Sequence, residues 1–223
     1  NEPAFFLEGG EISFSYQFWS FVHNGNKIGA SYEAGSEMMS AFQVPLVDAN
    51  GNGLGNEPAD EDQLKDLLIG WGHKVASDIP SIGTTCGDKS LSGESSSEIW
   101  VSDVTDANGI KQVWADIIPP VFTPDLNQPV TSLNKLRLVD MDGSGTYDGT
   151  YNGFTTPGTY KVVLYATDKR GHHSLPRLLR FEQVQGISVA TPSFSPNPGT
   201  YPTAQSVTLS CPTSGADIRY TTD

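Results

Sequence analysis

Residues 136–168 read LRLVDMDGSGTYDGTYNGFTTPGTYKVVLYATD and contain the clearest β-pattern of the chain. An acidic, glycine-rich loop is followed by a tight turn at Pro157-Gly158 and by an alternating segment from Tyr160 to Ala166. The even-numbered residues of this segment are predicted to face one side, because successive residues of a strand point to opposite faces. The middle of the chain is therefore predicted to be a β-sandwich module.

Short strand patterns with turns about every ten residues surround this segment. IWVSDV (99–104) and IKQVWADII (110–118) flank Asn108-Gly109, a dipeptide typical of a two-residue hairpin turn. Further strands are predicted at Leu133–Val139 and Leu178–Val184. The spacing favours an immunoglobulin-like (Ig-like) sandwich over residues 99–186.

Composition argues against several classes of function. The chain has 223 residues and a formal net charge of −13, which disfavours binding to nucleic acid or to an anionic membrane surface. No run approaches the roughly 20 apolar residues needed to span a membrane. Cys86 and Cys211 fall in different predicted modules, so neither a disulfide nor a metal site is predicted from them. The sequence starts at Asn1 without a Met or a signal-like segment, and we expect a piece of a longer chain.

Two helices are predicted near the start of the chain. Ser13 is suited to cap the first helix, in which Phe14, Phe18 and Phe21 recur at helical spacing. Ile28–Ala41 is predicted to be the second helix. The aromatic stripe is interpreted as core packing rather than as a cofactor pocket.

These residues also carry a resemblance to a known family. FFLEGGEISFSYQFWSFVHNGNKIGASYEA (5–34) resembles the part of bacterial legumain-like, caspase-fold cysteine peptidases that follows the strand with the catalytic cysteine. QVPLVDANGNGLGNEPADEDQL (43–64) is similar to the proline-led loop of that family. The resemblance implies an incomplete α/β, caspase-like segment over residues 1–91, followed by a serine-rich linker at 92–98.

The catalytic residues of that family have no counterpart here. Its His-Gly histidine and its nucleophilic cysteine both precede the matching segment, so the resemblance places them before Asn1. Cys86 lies after the segment, and neither His23 nor His73 is followed by glycine. No catalytic residue and no cofactor-binding residue is therefore assigned to this chain.

The middle of the chain resembles the Ig-like module that follows the catalytic domain in secreted bacterial peptidases. LVDMDGSGTYDGTYNGF (138–154) and PGTYKVVLYATDKRG (157–171) carry this resemblance, which implies an extracellular or cell-surface location, in a bacterium. Tyr160 is placed like a tyrosine-corner residue, and plain strand packing is the alternative interpretation.

The last segment resembles a third family. ATPSFSPNPGTYPTAQSVTLSCPTSGADIRYTTD (190–223) is similar to the repeat found at the C-terminus of chitobiases and in fibronectin-III-associated modules. The pattern in that family continues past the position of Asp223, so residues 187–223 are predicted to be a truncated β-module that folds poorly alone. The resemblance implies a spacer or a glycan-contacting role.

Two acidic loops are candidate Ca²⁺ sites, because oxygen side chains at alternate positions before a glycine can converge on one hard cation. The alternative is a turn whose side chains bond their own backbone. Both loops lack the final bidentate Glu of an EF-hand, since Ala59 and Tyr151 stand there. The candidate ligands are Asp48, Asn50, Asn52 and Asp60 in the first loop, and Asp140, Asp142, Ser144 and Asp148 in the second.

Other polar residues are interpreted as structural. His172 and His173 are adjacent, so on a strand they would point to opposite faces and are read as turn residues. Asp116 and Asp168 are the carboxylates considered as a glycosidase pair, but the sequence does not set their separation. The sequence contains no phosphate-binding loop and no nucleophile elbow.

Two functional hypotheses follow. In the first, the chain is the non-catalytic C-terminal portion of a secreted cysteine peptidase, with accessory modules for stability, spacing or surface binding. In the second, it is an extracellular, Ca²⁺-stabilised adhesion or glycan-binding protein without peptidase activity. Protein or glycan surfaces are the predicted partners, and Ca²⁺ at the two acidic loops is the candidate cofactor, with no cofactor as the alternative.

Overall fold

A computed structural model describes residues 4–7, 10–70, 78–122, 130–184 and 190–221, with backbone alone at 130–131. The chain divides into two compact units, Asn1–Val184 and Gln185–Asp223. The helices are α1 (Phe14–His23), α2 (Ile28–Met39) and α3 (Pro58–Leu64). The strands are β1 (Phe6–Leu7), β2 (Lys89–Ser92), β3 (Ser97–Val101), β4 (Ile110–Ile118), β5 (Val130–Thr131), β6 (Asn134–Leu138), β7 (Tyr147–Tyr151), β8 (Gly158–Asp168), β9 (Arg177–Val184), β10 (Ser193–Ser195) and β11 (Thr208–Ser210).

A five-stranded sheet forms the centre of the first unit, with the strand order β2-β9-β8-β4-β6. β8 pairs antiparallel with both β4 and β9, and β2 runs parallel to β9 at the edge. In the register of β4 and β8, Val113 lies opposite Ala166 and Trp114 opposite Tyr165. The strands predicted at 133–139 and 178–184 are confirmed as β6 and β9.

A second sheet, β3 with β7, packs over one face of this sheet and completes the sandwich. Ile99 and Val101 of β3 contact the buried side chains of the larger sheet, and Tyr147 and Tyr151 of β7 close the rim. The predicted alternation of β8 is confirmed. Its inward side chains are Tyr160, Val162, Leu164 and Ala166.

Tyr160 forms the predicted tyrosine corner. Its ring is 1% exposed, and its hydroxyl donates to the carbonyl of Gly153 (3.2 Å) and accepts from the amide of Thr156 (2.9 Å). The residue therefore ties the loop before β8 to the strand in addition to packing in the core.

The hairpin predicted at Asn108-Gly109 is wrong. The turn itself exists, with Gly109 at φ +75° and its amide bonded to the carbonyl of Asp106. The two strands that it joins belong to different sheets, since β3 pairs with β7 whereas β4 pairs with β6 and β8. An Asn-Gly turn fixes a local reversal of the chain, but the core between the sheets decides which strands pair.

Helix α2 packs on the other face of the large sheet. Met38 of α2 packs against Trp114, Ile118, Val163 and Tyr165. The structure does not show a caspase-like α/β segment. In the described part of residues 1–88, the only strand is β1, which pairs with β5, and helices α1 and α2 contact the large sheet of the sandwich.

Polar contacts also join the helices to the sheet. Gln17 of α1 is buried and donates to the hydroxyl of Tyr165 at 2.7 Å. The Glu37 carboxylate of α2 accepts from Arg180 of β9 at 2.9 Å and lies 3.6 Å from the ammonium of Lys161. These contacts bring the helices and the sandwich into one compact unit.

The local structure of α1 agrees with the sequence. The hydroxyl of Ser13 accepts from the amide of Tyr16 at 3.2 Å, which satisfies a free amide at the start of the helix. Gly35 of α2 lets the helices approach closely, because a Cβ built there would lie 3.2 Å from the ring of Phe14. The second helix ends at Met39, before the predicted Ala41.

The serine-rich run at 92–98 connects two strands of the sandwich. It contains the last residue of β2 and the first two residues of β3. The domain boundaries drawn from the sequence, 1–91, 99–186 and 187–223, stay predictions, but residues before 99 take part in the large sheet.

The second unit is small. β10 and β11 pair antiparallel, with Phe194 opposite Leu209. None of its described residues, 190–221, is buried. A unit without buried side chains gains little from the hydrophobic effect, which is the main stabilising term in folding.

Candidate functional site

The outward face of the β3–β7 sheet carries a tryptophan beside carboxylates. Because Ile99 and Val101 point into the core, Trp100 between them points outward and is partly exposed. The antiparallel register places Trp100 directly opposite Asp148 of β7. Glu98 lies two positions along the same face and pairs with Thr150.

A shallow groove of about 650 Å³ lies over this face, and the loop between β6 and β7 forms one of its walls. The groove combines an indole ring, an exposed thioether, hydroxyls and three carboxylates. Among the described residues, no Lys or Arg lines it. The lining residues are Glu98, Trp100, Ser102, Met141, Asp142, Ser144, Thr146 and Asp148.

The acidic loop that borders the groove is ordered by its own carboxylates. Asp140 accepts from the amides of Ser144 (3.1 Å) and Gly145 (3.0 Å), and Asp142 accepts from the amide of Ser144 (3.0 Å). Hydrogen bonds from the side chain and the backbone of Ser144 lower the pKa of Asp142, so its carboxylate is ionised at neutral pH. Of the four predicted ligands, Asp142, Ser144 and Asp148 line the groove, whereas Asp140 holds the turn.

This arrangement suits a carbohydrate chemically. The ring face of a pyranose has C–H groups that pack on an aromatic ring, as other apolar groups do. Its hydroxyls can donate to carboxylates, and such charge-assisted hydrogen bonds are the stronger kind. Met141, which is 91% exposed, adds apolar surface at the rim.

In the first acidic loop, the candidate ligands bond backbone amides of the loop and of the adjoining helix start. Asp48 accepts from the amides of Gly51 (2.7 Å) and Gly53 (2.8 Å). Asp60 is buried and accepts from the amides of Ala49 (2.8 Å) and Glu57 (2.9 Å). The hydrogen bond from the amide of Glu57 is the largest of the effects that lower the pKa of Asp60.

Asn50 and Asn52 of this loop bond nearby backbone amides in the same way. Asn50 accepts from the amide of Asn52, and Asn52 accepts from that of Leu54. Beside the loop, a smaller cavity of about 280 Å³ between α2 and α3 is lined in part by Tyr32, Glu33 and Glu61.

Among the described residues, no group of three His, Cys, Asp or Glu side chains is placed to hold a metal ion. Ca²⁺ loops also use amide, hydroxyl and backbone oxygens. The two Ca²⁺ sites therefore stay predictions, and no function is derived through the ion. Within the same ranges, no helix is long and apolar enough to cross a membrane.

The two carboxylates considered as a glycosidase pair lie in different places. Asp116 is in the middle of β4 and pairs with Val163, whereas Asp168 ends β8 opposite Ile110. Asp168 lies five positions along β8 from Val163, the partner of Asp116, which corresponds to about 16 Å. This exceeds the roughly 6.5–9.5 Å of inverting glycosidases and the shorter spacing of retaining ones.

The adjacent histidines have separate contacts. The ring of His172 lies 3.0 Å from the buried carboxylate of Asp168. Burial opposes ionisation of Asp168, but hydrogen bonds from the His172 amide and ring and from the Arg170 amide outweigh it and lower its pKa. His173 packs edge-on against Trp114. These contacts place both residues at the turn after β8.

The cysteines lie apart from the groove. Cys86 is partly buried against the sandwich core, and the thiol of Cys211 lies 3.2 Å from the carbonyl of Ala190 in the second unit. Neither has a hydrogen bond to a histidine of the described ranges. His73 lies outside those ranges.

The sequence did not single out Trp100, Glu98, Ser102 or Thr146 as site residues. The signal for Trp100 was present, since it stands between two β-branched residues in IWV. Its position opposite Asp148 could not be read from the sequence, because it depends on the pairing of β3 with β7.

A comparison with protein-family models finds a similarity for the last segment of the chain. The family model of the chitobiase/beta-hexosaminidase C-terminal domain matches residues 196–223, which confirms the predicted resemblance of the last segment. The match covers a small part of the chain. No curated protein matches the sequence.

Among solved structures, the fibronectin(III)-like modules of Clostridium thermocellum CbhA match with a TM-score of 0.32 and 12% identity, over 48% of this chain and 99% of theirs. An endo-beta-1,4-mannanase from Thermotoga petrophila matches with a TM-score of 0.33 and 11% identity, over 70% of this chain and 36% of its own. Astrotactin-2, a vertebrate-specific protein, matches with a TM-score of 0.35 and 17% identity, over 70% of this chain and 30% of its own. At these TM-scores the likenesses carry no argument about function, and the sandwich is established by its own strand pairing and core.

Proposed function

We propose that this chain is an accessory, non-catalytic part of a larger secreted protein and that its sandwich binds polysaccharide in the groove over Trp100. The observation that carries the proposal is the outward Trp100 directly opposite Asp148, in a groove with hydroxyls and carboxylates. A partly exposed indole next to hydrogen-bonding groups offers both contacts that a sugar ring requires.

The match of the last segment supports the same proposal. Chitobiase and beta-hexosaminidase, which give the matched family its name, are enzymes that act on carbohydrates. An accessory sandwich that holds the parent protein on a glycan would suit a chain with such a segment. The extracellular or cell-surface location, in a bacterium, is part of the proposal.

The test is saccharide binding by the full chain, measured by calorimetric titration with soluble oligosaccharides of neutral, amine-bearing and uronate types. We expect Trp100→Ala to weaken binding at least about tenfold, since buried aromatic anchors dominate such interfaces. Trp19→Ala is the matched control, because Trp19 is 45% exposed on α1 and does not line the groove. The proposal fails if no saccharide binds, or if both variants bind as the unsubstituted chain does.

We propose further that the parent is a cysteine peptidase, as the resemblance of residues 5–34 implies. Thiolate attack would then use a cysteine and a histidine outside this chain. The chain alone should show no thiol-dependent cleavage of peptide substrates. Cleavage that a thiol-blocking reagent abolishes would contradict this placement of the nucleophile, and its loss in Cys86→Ala would identify Cys86 as the thiol.

A further inference from the structure

We infer that the groove selects polysaccharides that carry primary ammonium groups, such as partly deacetylated glucosamine polymers, over neutral and anionic ones. This inference rests on the proposed function, because it names the class of glycan for the same groove. The tryptophan and the groove provide the binding surface, and the carboxylates around them decide the charge of the ligand.

The charge of the groove has one sign. Glu98, Asp142 and Asp148 line the groove together with the indole of Trp100, and no basic residue of the described ranges lines it. Asp148 lies directly opposite Trp100 across the strand pair. Glu98 precedes Trp100 by two residues on the same outward face of β3. A sugar ring that packs on Trp100 therefore has carboxylates at its edge.

Two basic residues of the neighbouring strands lie outside the lining of the groove. Lys89 lies over the ring of Phe181 and donates to the backbone carbonyl of Glu98. Lys135 belongs to β6 and lies over Trp114, on the helix-covered face of the large sheet. Neither lines the groove, whereas three carboxylates do, so the charge of the groove lining is negative.

The net charge of the chain acts in the same direction. At −13, the protein repels uronate and sulfated polymers at a distance, and the groove repels them at contact. A neutral sugar can still pack on the indole, but it gains no ion pair. An ammonium group at the edge of the ring gains charge-assisted hydrogen bonds to the carboxylates.

The test compares three hexasaccharides on the full chain at low ionic strength and pH 5.5: glucosamine, N-acetylglucosamine and a uronate. We expect the glucosamine oligomer to bind at least about tenfold more tightly than the acetylated one, and the preference to shrink with added salt. The uronate should not bind measurably.

Two triple variants separate the local field from the net charge. Glu98→Gln with Asp142→Asn and Asp148→Asn should reduce the preference to less than about threefold, because the ion pairs are lost. Glu33→Gln with Glu61→Gln and Asp62→Asn removes the same charge from residues that do not line the groove and should leave the preference intact. Urea unfolding of each variant verifies that it is folded.

The outcomes separate the two proposals. Equal binding of the amine-bearing and acetylated oligomers, lost in Trp100→Ala, would overturn the charge selectivity and leave the proposed function standing. An equal loss of preference in both triple variants would show that net charge and not the groove selects the ligand. A complete lack of binding would overturn the proposed function and this inference with it.

Discussion

Tyr160 shows how one side chain can serve both the core and the backbone. Its ring packs edge-on against Phe154 inside the sandwich, while its hydroxyl bonds the backbone at Gly153 and Thr156. The loop before β8 is thereby held at the point where the strand enters the sheet. The same loop follows β7, which carries Asp148 of the groove.

Tyr160→Phe should lower the free energy of unfolding by about 1 kcal/mol, because the ring is retained and the hydrogen bonds of the hydroxyl are lost. Urea unfolding measures this change. Tyr147→Phe is the control, since Tyr147 also packs at the core and its hydroxyl has no hydrogen bond in the described ranges. Equal effects of the two substitutions would contradict the tyrosine-corner role.

At the scale of elements, the helices are bound to the sandwich by α2. Met38 is 3% exposed and contacts the large sheet on the face away from β3 and β7. Glu37 adds an ion pair with Arg180, and hydrogen bonding to Arg180 is the largest effect that lowers the pKa of Glu37. Helix α2 therefore contributes to the stability of the large sheet. The β3–β7 sheet, which carries the groove, packs on the opposite face of that sheet.

Met38→Ala should cost about 2–4 kcal/mol of unfolding free energy, as removal of a buried methionine does. Met141→Ala is the control: Met141 is 91% exposed, and its removal should change the unfolding free energy by less than about 0.5 kcal/mol. Chemical denaturation of both variants measures these two changes. A cost at Met38 as small as at Met141 would mean that the helices do not dock on the sheet.

The acidic loops are the elements for which Ca²⁺ is predicted. If both bind the ion, Ca²⁺ at 100 times its dissociation constant should add about 2.7 kcal/mol of stability per site. Asp140→Asn should remove the contribution of the second loop and Asp48→Asn that of the first, with Asp66→Asn as a control outside both loops. The absence of any rise in melting temperature at millimolar Ca²⁺ would end both predictions.

At the scale of the whole molecule, the chain consists of two compact units, each with its own internal contacts. The first contains the three core clusters, and the second has no buried residue in its described range. Stability should therefore be concentrated in the first unit.

A chain that ends at Gly186 should unfold in urea within about 0.5 kcal/mol of the full chain, because the core clusters all belong to the first unit and contributions of parts that share no contacts add. Tryptophan fluorescence reports this transition, since all four tryptophans precede residue 115. Limited proteolysis of the full chain should cut after residue 186 first. A large loss of stability on truncation would show that the second unit supports the first.

The sequence by itself determined the local features of this protein. The alternation of β8, the cap at Ser13, the tyrosine at the strand start and the likeness of the last segment to the matched family all depend on residues close together in the chain. Such features follow from backbone geometry and side-chain periodicity, which neighbouring residues fix.

Tertiary structure decided which elements meet. The Asn108-Gly109 turn joins two sheets instead of one hairpin, the helices of the predicted α/β segment lie on the sandwich, and Trp100 faces Asp148. Each of these depends on the burial of apolar side chains that are distant in sequence, which local pattern does not encode. The groove over Trp100 exists only because β3 and β7 pair across that core, and it is this pairing that brings a tryptophan and three carboxylates to one surface.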